Sequence, residues 1–256
     1  MYRSLPALVV LGSLLVIADG RPASAQDAAA FLAGRTKDCP GCDLSGAKLK
    51  RRDLNGANLA GANLTEASFH RAQLRGANLS GANLTNANLN KTSLIQANFS
   101  SAEMKGAMLF EAEAGGANFS GADLTEALMG SIHLVRGRLE GANLGEADLE
   151  AAQLDDADFA TAILSGANLH QVRMLRANLR GASAESTDFT DANMRETNLQ
   201  GAKLRQSIFF LADLGVADLS AADFSQCVLR SANLGSTNQS GTIFAGALMP
   251  DNTVHP

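Results

Sequence analysis

In the stretch "LNGANLAGANLTEASF", a large apolar residue recurs at every fifth position: Leu54, Leu59, Leu64 and Phe69. An alanine stands two places before each of the last three, at Ala57, Ala62 and Ala67. Five is neither the helical period of about 3.6 nor the strand period of about 2. The register persists from Leu44 to Met249. Of 42 positions numbered with a final 4 or 9, only Ala114, Ala184 and Gln239 are not Leu, Phe or Met. Of 42 positions ending in 2 or 7, from Cys42 to Ala247, only Arg52, Ile132 and Val172 are not Ala, Gly, Ser, Thr or Cys. Positions ending in 3 or 8 favour Asn and Asp. The phase never slips, so this is one architecture and not two domains.

Two inward residues per five, one large and one small, require a chain that turns a corner at each repeat. Four corners close a square coil. The large residue fills the coil, and the small one lets neighbouring walls approach. Coils then stack at the strand spacing of about 4.8 Å. Pairs twenty apart, such as Phe99 and Phe119, Phe189 and Phe209, Phe224 and Phe244, and Met174 and Met194, would fall in shared columns. Leu59, Leu64, Leu144 and Leu149 are representative core positions.

Runs such as "GANLAGANLTEAS", "GANLSGANLTNANL" and "GADLTEAL" resemble the pentapeptide-repeat family, with its A(D/N)LXX motif. The resemblance covers residues 39–249. It implies an all-β fold, a right-handed quadrilateral parallel β-helix (a solenoid) of about ten coils and about 50 Å in length at the strand spacing. The segments around Ala114, Ile132 and Ala184 depart from the pattern and are expected to bulge or pack loosely.

The ends read differently. "MYRSLPALVVLGSLLVIADGRPASAQD" carries Arg3, an apolar run Leu5–Ala18 and a small-residue Ala23–Ala25 site, the layout of a secretory signal peptide. Cleavage is expected after Ala25, giving a periplasmic or secreted protein. The apolar run is too short to span a membrane comfortably, so no stable membrane insertion is expected. Of 21 basic and 26 acidic residues, loss of Arg3, Asp19 and Arg21 leaves 19 and 25, a net charge of −6. Residues 26–38 read as an N-terminal cap containing a short helix, with Asp27 at its N-cap, Gly34 just past its end, and Phe31 and Leu32 over the first coil. Residues 250–256 form a C-terminal tail too short for a helical lid. The C-terminal edge is therefore a candidate for self-association.

Cys39 and Cys42, in "CPGC", fall in a large and a small slot where the repeats begin. In an exported chain they are candidates for a disulfide across the first corner; two small core residues are the alternative. Cys227 lies too far along the chain to pair with Cys42 and reads as a buried alanine substitute. Zinc needs about four ligands, and no second Cys/His pair exists. His70 and His170 share a column five coils apart, and no His has a nucleophile placed beside it. The glycines recur before alanine and form no phosphate loop. No enzyme, cofactor or metal site is expected.

Function is then a matter of surface. Outward slots group into a bland Ser/Gly column and two columns with large side chains. One holds Arg51, Arg71, Lys91, Phe110, Phe210 and Leu211; the other holds Ile95, Val135, Leu175 and Arg176. Outward apolar residues are not required by the coil, and clustered they mark a contact surface. The expected function is an exported scaffold that binds an unidentified protein partner or a second copy of itself. The family includes DNA-mimicking proteins that protect topoisomerases, which is the alternative. Mimicry needs an acidic stripe along one face, and here acids alternate with Arg and Lys. Glu140 through Asp158 wrap the coil as a belt, so no nucleic-acid role is expected.

Overall fold

The computed structural model describes residues 23–256. Most of the expected signal peptide lies outside the described residues. From residue 39 onward the chain makes one rod in which every coil takes twenty residues and pairs in parallel with the next, as in Asp43↔Asn63 and Asn63↔Asn83. It is a right-handed quadrilateral β-helix.

Five amides per pentad explain the motif. The Leu44 amide donates to the Asn63 carbonyl and the Gly46 amide to the Thr65 carbonyl, both at 2.8 Å on the next coil. The Ala47 amide turns back to the Leu44 carbonyl at 3.0 Å and closes the corner. The face-centre amide, here that of Asn63, donates to the Cys42 carbonyl of the preceding coil at 2.8 Å. That leaves the amide just after the large residue. Ser45 donates it to Asp43 Oδ1 at 3.1 Å, as Ser100 donates to Asn98 Oδ1. Asn or Asp at the face centre therefore satisfies a donor the coil cannot pair. The residue after it, at numbers ending in 1 or 6, has φ near +60°, the left-handed region that glycine adopts freely.

Four faces result, named here by their outward centres. The first runs Asp43, Asn63, Asn83; the second Lys48, Ser68, Asn88; the third Asp53, Gln73, Ser93; the fourth Asp38, Asn58, Asn78. On the fourth face Asn118 donates to Asn98, Asn98 to Asn78 and Asn78 to Asn58, side chain to side chain in a ladder at 3.1–3.3 Å. Inside, Leu59, Leu64, Leu144 and Leu149 are fully buried. The twenty-residue columns are real: Phe99 stacks on Phe119 and Phe189 on Phe209, both at 4.9 Å between ring centroids.

The expected bulges are absent. Ala114, Ile132 and Ala184 are fully buried, and pairing continues through Glu113↔His133 and Ile163↔Ser183. Ala114 and Ala184 are each followed, one wall on, by a fully buried phenylalanine, Phe119 and Phe189. Hydroxyls in small slots are also accommodated. Thr187 and Ser207 donate to the Leu164 and Ala184 carbonyls, and the Cys227 thiol occupies the same column and contacts the Leu204 carbonyl. Cys227 is thus a stand-in for Ser or Thr more than for alanine.

At the N-terminus, helix α1 spans Ala23–Leu32. Asp27 lies inside it and is not its N-cap, because the helix begins earlier. Gly34 does end it: its amide reaches the Phe31 carbonyl and the Arg35 amide the Ala30 carbonyl, with φ +73° at Gly34. Phe31 is fully buried over the first coil, whereas Leu32 is 52% exposed and covers nothing. Arg52 fastens this cap, donating to the Phe31 carbonyl at 2.9 Å and lying 4.8 Å over its ring. Its place in a small slot is explained by that contact. At the other end the tail folds back, pairing Leu248 with Val254 antiparallel. It covers one side of the terminal coil only. The amides of Leu234, Ser236, Gln239, Gly241 and Phe244 have no next coil to donate to.

Candidate binding surfaces on the rod

The outward columns singled out from sequence sit at corners, not on flat faces. Arg51, Arg71, Lys91, Phe110, Phe210 and Leu211 occupy the corner between the second and third faces. Ile95, Val135, Leu175 and Arg176 occupy the next corner, between the third and fourth. The two columns therefore flank a single face. Arg51, Arg71, Lys91, Arg176 and Leu211 all take the positive-φ corner position. Phe110 is 43% and Leu211 48% exposed. Phe210 is half-buried, because Arg230 lies 4.8 Å over its ring. Ile95, Val135 and Leu175 are half-buried as well.

Sequence reasoning passed over a further set. Face centres occupied by apolar residues in place of Asn or Asp point straight outward: Leu128, Ile163, Ile208 and Ile243 are 39–49% exposed. On the second face Met108 pairs with Leu128, and Ile208, Val228 and Leu248 form a continuous column. The signal was available, since each breaks the Asn/Asp preference of its slot.

Charges pair mostly across coils. Lys37 meets Asp53 at 3.0 Å and Lys91 meets Glu111 at 3.1 Å. Arg176 grips Asp156 through two nitrogens, at 2.7 and 3.0 Å. That hydrogen bond holds the Asp156 carboxyl below its ordinary range and raises the Arg176 guanidinium. His133 lies 2.9 Å from Glu113, and His170 lies 3.6 Å from both Glu150 and Asp191. Among the described residues no group of three or more His, Cys, Asp or Glu is placed to hold a metal ion, and no helix is long and apolar enough to cross a membrane. Cys39 and Cys42 are both fully buried, with sulfurs at bonding distance and Cα atoms 5.4 Å apart. Burial pushes the Cys227 thiol up to about 12.

A solenoid with a sealed core, continuous outer faces and its polar groups engaged in coil-to-coil bonding is a scaffold by class. The chain belongs to the pentapeptide-repeat family: the pentapeptide-repeats profile matches in eight copies over residues 42–81, 77–113, 134–171, 173–209 and 207–246. The unmatched stretch between 113 and 134 holds the departures at Ala114 and Ile132, where the coil nonetheless continues. Among solved structures, the chain is similar to HetL of the cyanobacterium Nostoc sp. strain PCC 7120, a pentapeptide repeat protein involved in heterocyst differentiation regulation. Identity is 25%, over 88% of this chain and 96% of that one, with a TM-score of 0.71. It is also similar to QnrB1, a plasmid-mediated fluoroquinolone resistance protein, at 18% identity over 80% and 92% of the two chains, with a TM-score of 0.32. A thylakoid-lumen pentapeptide repeat protein of Arabidopsis thaliana matches at 30% identity over 40% of this chain and 71% of that one, with a TM-score of 0.22. No curated protein matches the chain.

Proposed function

We propose that the protein is an exported, non-catalytic scaffold whose rod sides bind a protein partner. The observation that carries this is the exposure of Phe110 and Leu211, 43% and 48%, at corners where the fold asks for no apolar group. Interface energy concentrates in a few aromatic, large apolar or Arg side chains. The two columns of such residues flank one face, and the Ser/Gly corner offers Arg180 but no large apolar anchor. Export rests on the Arg3, Leu5–Ala18 and Ala23–Ala25 layout. In an oxidising compartment the Cys39–Cys42 pair is a disulfide. A DNA-like role would need acids unbroken along the rod, whereas Asp155 and Asp156 are answered by Arg173 and Arg176. A second copy meeting the unpaired amides of the C-terminal edge is the other occupant to consider.

Mass spectrometry of the native protein tests export: a chain beginning at Gln26 is expected, and an intact Met1 chain in the cytoplasm overturns it. Binding is tested by pull-down from the compartment where the protein is found. Phe110→Ser/Phe210→Ser should lose the partner and Ser100→Arg/Ser120→Arg should keep it. The reverse pattern means the Ser/Gly corner is the contact surface. A particle of twice the chain mass in light scattering identifies the second copy as occupant.

A further inference from the structure

The acidic residues between Glu146 and Asp191 include two groups with different surroundings. On the corner between the third and fourth faces, Asp155 and Asp156 each meet an arginine, at 2.8 and 2.7 Å, and the charge is cancelled locally. On the second face and its two bordering corners, Glu146, Asp148, Glu150, Glu185, Asp188 and Asp191 gather over three successive coils. Those coils carry no Lys or Arg at any of these positions, and His170 is their single basic side chain. At their centre the surface dips beside Gly166, whose corner is overlaid by the Glu146 carboxylate. The depression, of about 390 Å³, is lined by Gly166, Asn168, His170, Ser186, Asp188 and Thr190, among others.

The same face is apolar on either side of this patch. Toward the N-terminus it presents Met108 and Leu128, the latter 49% exposed, with Phe110 beside them. Toward the C-terminus it presents Ile208, Val228 and Leu248, with Leu211 beside them. From Leu128 to Ile208 is four coil steps, about 19 Å at the strand spacing. An extended polypeptide covers that distance in about six residues.

We propose that the second face binds an extended cationic polypeptide segment carrying a large apolar residue at each end. A basic side chain enters the depression beside Asp188. The apolar ends rest on Leu128 with Phe110 and on Ile208 with Leu211. Charge complementarity selects this occupant. A small cation or polyamine would leave both apolar ends uncovered. A second copy laid antiparallel about the middle of this face would set Asp148 against Asp188, like charges at close range. The proposal rests on the protein-binding reading above but is independent of export.

The probe is a labelled peptide, Leu-Ser-Arg-Ser-Arg-Ser-Leu, in which alternate side chains face one way when extended. Its fluorescence anisotropy is followed against the purified protein. Saturable binding is expected, at least about tenfold weaker with Asp188→Asn/Asp191→Asn and with a peptide whose leucines are serine. Asn at 188 keeps the oxygen that accepts the Thr190 amide at 2.8 Å, so the corner survives. Asp155→Asn/Asp156→Asn, the same charge change on another side of the rod, should leave binding within about twofold. Three results overturn the proposal: no saturation by about 1 mM, equal loss in both double variants, or undiminished binding of the leucine-free peptide. If the pull-down above recovers a partner that depends on Phe110 and Phe210 while this peptide fails, the scaffold reading stands and this one falls.

Discussion

Replacing Leu144 by alanine should destabilise the rod, and replacing Leu149 by phenylalanine in the same chain should restore much of the loss. Leu144 is fully buried on the first face, and Leu149 is its successor on the second. Leu→Ala in a close-packed core costs about 3–5 kcal/mol, part transfer and part cavity. At about 2–4 °C per kcal/mol for a domain of this size, a loss of about 3 kcal/mol lowers Tm by about 6–12 °C. Leu149→Phe alone overfills its wall and costs about 1–3 kcal/mol. Two coils further on, the same two walls carry Ala184 and Phe189, both fully buried. If one side chain fills the other's space, the double variant should be more stable than the sum of the singles by about 2 kcal/mol. Thermal and urea unfolding of the four proteins measure this. Because stability in a solenoid sums over neighbouring repeats, hydrogen exchange at residues 140–170 gives the local value. Additivity within about 0.5 kcal/mol refutes the compensation argument.

Other consequences follow from single contacts. Val216 is β-branched, 53% exposed and held at φ +63°; Val216→Gly should stabilise by about 1 kcal/mol, seen as a higher Tm. Asn98 accepts the Ser100 amide and the Asn118 side chain and donates to Asn78; Asn98→Ala should cost about 1–3 kcal/mol in urea unfolding. Native protein should show no reactive thiol at neutral pH, since Cys227 is buried with its thiol pushed up to about 12. Unfolding without reductant should release one thiol; release of three would mean that Cys39 and Cys42 are not bonded. The hydroxyl of Ser220, with its amide, holds the Asp218 carboxyl below its ordinary range. A depressed carboxyl contributes stability that is complete above the unfolded value of about 3.9 and is lost as pH falls through the lower folded value. Ser220→Ala should move the Asp218 titration up toward that ordinary value in an NMR pH series; an unmoved titration would discount the hydroxyl.

The period of five carried most of the fold, because each slot answers a separate physical demand: volume at Leu144, wall approach at Ala147, a capped amide at Asp148. What stayed hidden were exceptions whose explanation lies elsewhere in the chain. Arg52 looked like a fault in the register and is the clasp for α1, a contact with a segment that does not repeat. Ala114 looked like a place for a bulge, yet it is fully buried and the pairing continues past it. The surfaces were less legible still. The corner residues could be grouped by column, but whether a charge is answered depends on its neighbour one coil away. Asp156 stands at a corner and is gripped by Arg176 one coil on, whereas Asp188 stands at a face centre with Ile208 one coil on.

The uniform pentad makes the rod a kind of ratchet. Insertion of twenty residues would lengthen it by one coil, about 4.8 Å, and leave every face in line. Insertion of five would preserve every buried contact type yet rotate all that follows by a quarter turn, carrying the apolar column of Ile208, Val228 and Leu248 onto a different side from Met108 and Leu128. Chain length in this architecture is thus an angular coordinate. Two proteins with equally sound cores can differ in which surfaces they align, through a change that no measure of core packing would detect.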